Sequence, residues 1–170
     1  MGKSGFFRKT GIPKGDVSLL FRGVNKLNLD AKGRLAVPTR YRERLQESCA
    51  SELVVTIDRD HCLLIYPLPE WQEIERKLMK LPSFNKAARN LQRLLVGHAT
   101  EVEMDAQGRV LLPPALRDFA NLKKHTVLIG QGNKFELWDE ERWNSQREGW
   151  LDEVNLDNLD LPADLETLSI

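Results

Sequence analysis

Cysteine is nearly absent from this chain of 170 residues: Cys49 and Cys62 stand alone, with no Cys-x-x-Cys spacing. That excludes a disulfide framework and a cysteine-based zinc site. The three histidines (His61, His98, His125) are scattered and form no metal-ligand pattern. No apolar run reaches the roughly 18 residues of a membrane span, and none has the form of a signal-peptide core. The chain has no nucleophile elbow, no phosphate-cradling glycine loop and no paired carboxylates beside a histidine, so an enzyme is the weakest class. Net charge is lacking too, with 25 basic residues against 25 acidic ones. The expectation is a cytoplasmic protein without cofactor, metal or small-molecule substrate.

That zero conceals a gradient. Residues 1–20 carry four basic residues against one acidic, residues 21–100 fourteen against nine, and residues 101–170 seven against fifteen. A basic first half with an acidic end fits a polyanion-binding face followed by a solvating terminus. An ordinary protein with an acidic tail fits nearly as well.

What the chain does have is a segment that occurs twice. Leu29-Asp30-Ala31-Lys32-Gly33-Arg34-Leu35-Ala36-Val37-Pro38 returns as Met104-Asp105-Ala106-Gln107-Gly108-Arg109-Val110-Leu111-Leu112-Pro113. A further arginine, Arg42 or Arg117, follows four residues past each proline. The likeness extends to Leu53–Ile57 with 126–129, and to Tyr66 and Trp71 with Trp138 and Trp143. Each copy reads as strand, Asp-x-x-Gly turn, strand, short helix, two strands and a helix.

The spacing predicts strands over 23–29, 35–37, 53–58 and 62–66, with a helix over 39–47 opened by Pro38. Arg59-Asp60-His61 reads as a hairpin turn, matched in the second copy by Gly130-Gln131-Gly132-Asn133. A helix from Pro69 to about Leu81, then one over 85–96 with apolar Ala88, Leu91, Leu94 and Leu95, connects the copies. The resulting division is a 1–20 extension, a first repeat over 21–71, a connector over 72–99, a second repeat over 100–143 and an acidic tail over 144–170, its last fifteen residues mostly mobile.

The turn is where chemistry is expected. Asp30 and Asp105 can bond backbone N–H groups two residues on, and Gly33 and Gly108 can supply the positive φ that closes the loop. Arg34 and Arg109 then follow on a rigid support, placed to bond phosphate or a guanine edge. In the plainer alternative each arginine simply pairs with its own aspartate and holds the hairpin. Lys32, Arg40, Arg42 and Arg44 around the first copy favour phosphate contact. Copy two, with Gln107 and Ala115 at the places of Lys32 and Arg40, is poorer in charge. Trp71 and Trp143 are expected as core anchors, Cys62 as a small buried hydrophobe, and His98 as a helix C-terminal residue bonding the last carbonyls.

At these residues the chain resembles the MraZ proteins of bacteria. The resemblance covers about residues 21–170 and includes Phe21-Arg22-Gly23, both Asp-x-x-x-Arg motifs, Tyr66–Trp71, Arg93–Ala99 and Asn133–Trp138. It implies an α+β, mainly β fold: two tandem AbrB-like (SpoVT-AbrB) swapped-hairpin half-barrels in a pseudo-symmetric unit with peripheral helices, several chains closing into a ring. It further implies a DNA-binding transcriptional regulator of the division and cell-wall gene cluster, its own promoter included, which binds short direct repeats of double-stranded DNA and associates with the nucleoid. Arg34 and Arg109 would face the DNA. Such proteins usually begin Met-Phe-Arg-Gly, whereas Leu20 and nineteen earlier residues precede Phe21 here. One expectation is that translation starts at position 20; the competing one is a real basic arm of Lys3, Arg8, Lys9 and Lys14. A protein-interaction module without DNA contact is the alternative function.

Overall fold

The computed structural model describes residues 20–154. The expectations about the start site, the basic arm and a mobile C-terminus fall on residues 1–19 and 155–170, outside the described residues.

Both repeats follow one plan. The first runs β1 (Phe21–Asn28), β2 (Arg34–Ala36), α1 (Thr39–Cys49), β3 (Glu52–Ile57), β4 (Leu63–Pro67) and α2 (Leu68–Met79). After α3 (Lys86–His98), the second runs β5 (Thr100–Glu103), β6 (Arg109–Leu111), α4 (Pro114–Phe119), β7 (His125–Gly132), β8 (Phe135–Asp139) and α5 (Glu140–Glu153). Residues 144–153, placed in the acidic tail by composition, complete α5. The class is α+β, but the helices hold more residues than the strands, so "mainly β" describes the core and not the chain.

Strand pairing crosses between the repeats. The large antiparallel sheet has the order β1-β7-β8-β4-β3-β5, and β2 pairs with β6 in a separate ribbon. Thus β1 runs along β7 from Phe21↔Gly132 to Asn28↔His125, while β5 lies on β3. Each repeat gives its first strand to the other's third. At the centre β4 joins β8.

Both faces of the central strands are covered, which is why β3 and β4 read as continuous apolar runs rather than alternating ones. Val55, Ile57, Leu63, Ile65, Phe135 and Leu137 look toward the ribbon and α1, packing with Leu35, Val110, Leu45 and Leu112. Val54, Leu64, Tyr66 and Trp138 look the other way, under Trp71 and Leu78 of α2 and Trp143 of α5. Trp138 stacks edge-on against Trp150, 5.5 Å between centroids. Trp71 and Trp143 are buried as expected, and so is Cys62, whose thiol pKa burial pushes up.

The connector uses only part of its apolar stripe. Ala88 is buried and Leu95 partly so, but Leu91 and Leu94 face outward, as do Met79 and Phe84. His98 Nδ1 meets the Leu94 carbonyl at 2.8 Å, the helix-terminal role expected for it.

Trp138 is almost wholly enclosed by both repeats' helices and touches two other tryptophans. Trp138→Ala is expected to lower the unfolding free energy by about 3–5 kcal/mol, read from the urea midpoint at constant m-value.

Candidate nucleic-acid interface

The two Asp-x-x-x-Arg turns have the same bonding. Asp30 Oδ1 accepts the Lys32 and Arg34 N–H groups, both at 2.9 Å, while Oδ2 accepts Arg34 Nε at 2.6 Å. Asp105 accepts from Gln107 N–H, Arg109 N–H and Arg109 Nε at 2.9, 2.9 and 3.1 Å. Backbone bonds close each loop, Gly33 N–H to Asp30 C=O and Gly108 N–H to Asp105 C=O. These donors stabilise the charged carboxylate: the Arg34 N–H above all, with help from its side chain, holds the Asp30 pKa down at about 2. Asp105 is lowered in the same way.

The plainer alternative therefore holds as far as it goes: each arginine pairs with its own aspartate. Neither pair is sealed from water, the Arg34 and Arg109 side chains being 28% and 32% exposed. Tethering through Nε fixes the guanidinium plane and leaves its outer edge directed by the ribbon. For Arg109 that edge is further held, because Nη2 donates to Gln107 Oε1. Lys32 stands at the corresponding place in the first turn and accepts no such bond.

The ribbon brings the two arginines onto one face. In the register Arg34↔Leu111, Leu35↔Val110 and Ala36↔Arg109, alternate residues point to opposite sides. Leu35 and Val110 enter the core, so Arg34, Ala36, Arg109 and Leu111 point out. Arg34 and Arg109 are diagonal neighbours, with Cα atoms about 7–8 Å apart by the usual spacing. A DNA major groove, about 12 Å wide, is broad enough to admit a two-stranded ribbon.

The remaining candidates are placed differently. Arg40 is exposed, but its Nη2 donates to Asn25 Oδ1 and its guanidinium lies 4.8 Å from the Tyr41 ring centre, which ties it to β1. Arg42, expected among the phosphate contacts, is half-buried and donates from Nε to the Val37 carbonyl at 2.7 Å. It lies directly on Gly108 of the other repeat: a Cβ there would sit 2.1 Å from Arg42 Nε. Arg117 lies likewise on Gly33, where a Cβ would sit 2.4 Å from its Cζ. So the glycines serve two needs, a positive φ (81° and 76°) and a close approach by the opposite repeat. Two backbone bonds seal the contact, Val37 N–H to Gly108 C=O at 2.8 Å and Leu112 N–H to Gly33 C=O at 3.1 Å.

Sequence reasoning missed Lys123 and Lys124. The Leu29 N–H donates to the Lys124 carbonyl at 2.8 Å, which fixes this dilysine beside the first turn. At the equivalent corner Met104 N–H bonds Ser51 C=O, next to Glu52. At this corner the first turn therefore meets two lysines, and the second meets Ser51 with Glu52 beside it. No motif announces this, because the lysines lie about 90 residues from Arg34 in the chain.

Comparison with known proteins adds a family. The MraZ protein model, antitoxin-like in its description, matches residues 20–94 and again 95–160. A protein named transcriptional regulator MraZ from Halorhodospira halophila is 58% identical over 152 residues, 89% of this chain and all of that protein. Its counterpart from Thioalkalivibrio sulfidiphilus is 58% identical over 151 residues, with the same coverage. One from Methylococcus capsulatus is 60% identical over 141 residues, 83% of this chain and 93% of that protein.

Two measurements check the turn. Its folded pKa being depressed, Asp30 contributes stability that is present above the ordinary 3.8 and is lost as pH falls through about 2. Carboxyl-detected NMR titration should accordingly give a midpoint near 2, and one near 3.8 would show the turn to be open. Gly108→Ala should cost about 2–3 kcal/mol, and noticeably less in an Arg42→Ala background, where only the φ strain remains.

Proposed function

This chain belongs to the MraZ family, and from that membership together with the ribbon geometry we propose that it is a non-enzymatic, sequence-specific DNA-binding transcriptional regulator. The observation that carries the reading is the pair of tethered arginines on one outward ribbon face. Phosphate contacts from neighbouring lysines supply affinity and register, and the arginines reach major-groove base edges. Ala36 and Leu111, exposed between them, offer apolar contact of the kind that suits a thymine methyl. Lys32 belongs with the phosphate contacts; Arg40 and Arg42 act by supporting the strands that carry the site.

The finer reading follows the family resemblance. The crossed pairing of the repeats supports paired swapped-hairpin half-barrels. One such unit offers few contacts, so several chains in a ring, matched to short direct repeats, would raise avidity by effective concentration. Leu91 and Leu94, exposed one turn apart on α3, together with exposed Met79 and Phe84, support self-association, since exposed large apolar side chains are material for an interaction surface. The target on this reading is the promoter of the division and cell-wall cluster that includes the chain's own gene, and the place of action is the cytoplasm, at the nucleoid. Among the described residues no helix is long and apolar enough to cross a membrane.

A gel-shift series on the chain's own upstream region tests the reading. Arg34→Ala should weaken binding at least tenfold, on the order of 1–3 kcal/mol, and Arg109→Ala should do less, its edge being held by Gln107. Affinity should also fall steeply as salt rises. Retention of promoter binding by Arg34→Ala, or no binding by the unaltered chain, would leave the interaction-module alternative in its place.

A further inference from the structure

We propose that the first turn and the segment leading into β7 form a binding cleft for a DNA backbone phosphate, with Lys123 and Lys124 as its direct contacts. The inference rests on the DNA-binding reading above and extends it to residues outside the repeated motif. A surface cavity of about 500 Å³ lies here, lined by Asp30, Ala31, Gly33, Arg117, Lys123 and Lys124 among others. The Lys124 backbone is anchored beside it, because its carbonyl holds the Leu29 N–H at the base of the turn.

Three features give the cleft its preference for an anion. Arg117 forms part of the wall, and its Nε is buried with no hydrogen-bond partner among the described residues. Its counterpart Arg42 has that need met by the Val37 carbonyl. Asp30, the carboxylate in the lining, is already occupied by two N–H groups and Arg34, which blunts its repulsion of a phosphate. Lys123 is only loosely engaged, 3.9 Å from Glu141, with both side chains largely exposed, a pair of little energy in water.

The equivalent corner of the second half lacks the two lysines. There Ser51 replaces Lys124 as the partner of the turn strand, and the neighbouring cavity is lined by Glu52, Glu101 and Glu103. A phosphate is attracted to one end of the ribbon and repelled from the other. The pseudo-symmetric unit thereby acquires a direction on the duplex.

The test measures affinity across a salt series for the full chain, on its own upstream duplex and on a random duplex of equal length. Lys123→Gln/Lys124→Gln should lose about tenfold on both duplexes and flatten the salt slope by about two, as loss of two phosphate contacts requires. Lys77→Gln/Lys80→Gln, an equal charge change on the connector, should leave both readouts unchanged. An equal loss in this control would make the effect one of net charge and overturn the cleft. So would an unchanged slope in the Lys123/Lys124 variant while Arg34→Ala loses promoter binding, a result that leaves the DNA reading intact. If Arg34→Ala binds as the unaltered chain does, it is that reading which fails. Inorganic phosphate at constant ionic strength, followed at the Lys124 amide, separates the two sources of anion: saturation by millimolar phosphate alone would make this a small-anion site and overturn the assignment to DNA.

Discussion

The architecture depends on a contact that only glycine permits. Arg42 and Arg117 each lie across the turn of the opposite repeat, at distances where a single methyl group on Gly108 or Gly33 would collide with the guanidinium. The turns can approach so closely because the peptide following β2 bonds Gly108 and the one following β6 bonds Gly33. With those bonds in place the ribbon has one register, and that register alone decides that Arg34 and Arg109 share the outward face while Leu35 and Val110 close the core. A shift by one residue would exchange the two sets.

Symmetry of the backbone and asymmetry of the charge then act together. The turns have matching hydrogen bonds, yet Gln107 occupies the outer edge of one arginine, whereas Lys32 leaves the other available. The first turn is bordered by Lys123 and Lys124 of the second repeat, and the second by Ser51 and Glu52 of the first. Exchange of strands thus does more than build a shared core. It separates the motif from the residues that set its electrostatic surroundings.

The same separation explains what could be read from the sequence. The Asp-x-x-Gly-Arg turn is local, five residues bonding to one another, so its composition discloses its shape. The continuous apolar runs of β3 and β4 and the buried Trp71 and Trp143 were legible for the same reason. Arg42 reads as a phosphate contact because its neighbour Gly108 lies 66 positions away, in the other copy. Nothing near Lys123 and Lys124 marks them as companions of Arg34. Nor does the 3.6-residue pattern of α3 tell which apolar positions find a partner inside the chain: Ala88 does, Leu91 and Leu94 do not.

The path of the chain between the halves is also instructive. The repeats are joined by paired strands, by their turns and by helix residues such as Arg42 of α1 and Arg117 of α4, whereas the covalent link between them runs through α2 and α3. Continuity of the polypeptide is therefore a convenience rather than a structural necessity. A molecule nicked in the exposed stretch around Phe84 would still be stitched along β1–β7, β3–β5 and β2–β6, and two half-length polypeptides would be complementary partners. The fold has the form of a dimer whose subunits have been joined end to end.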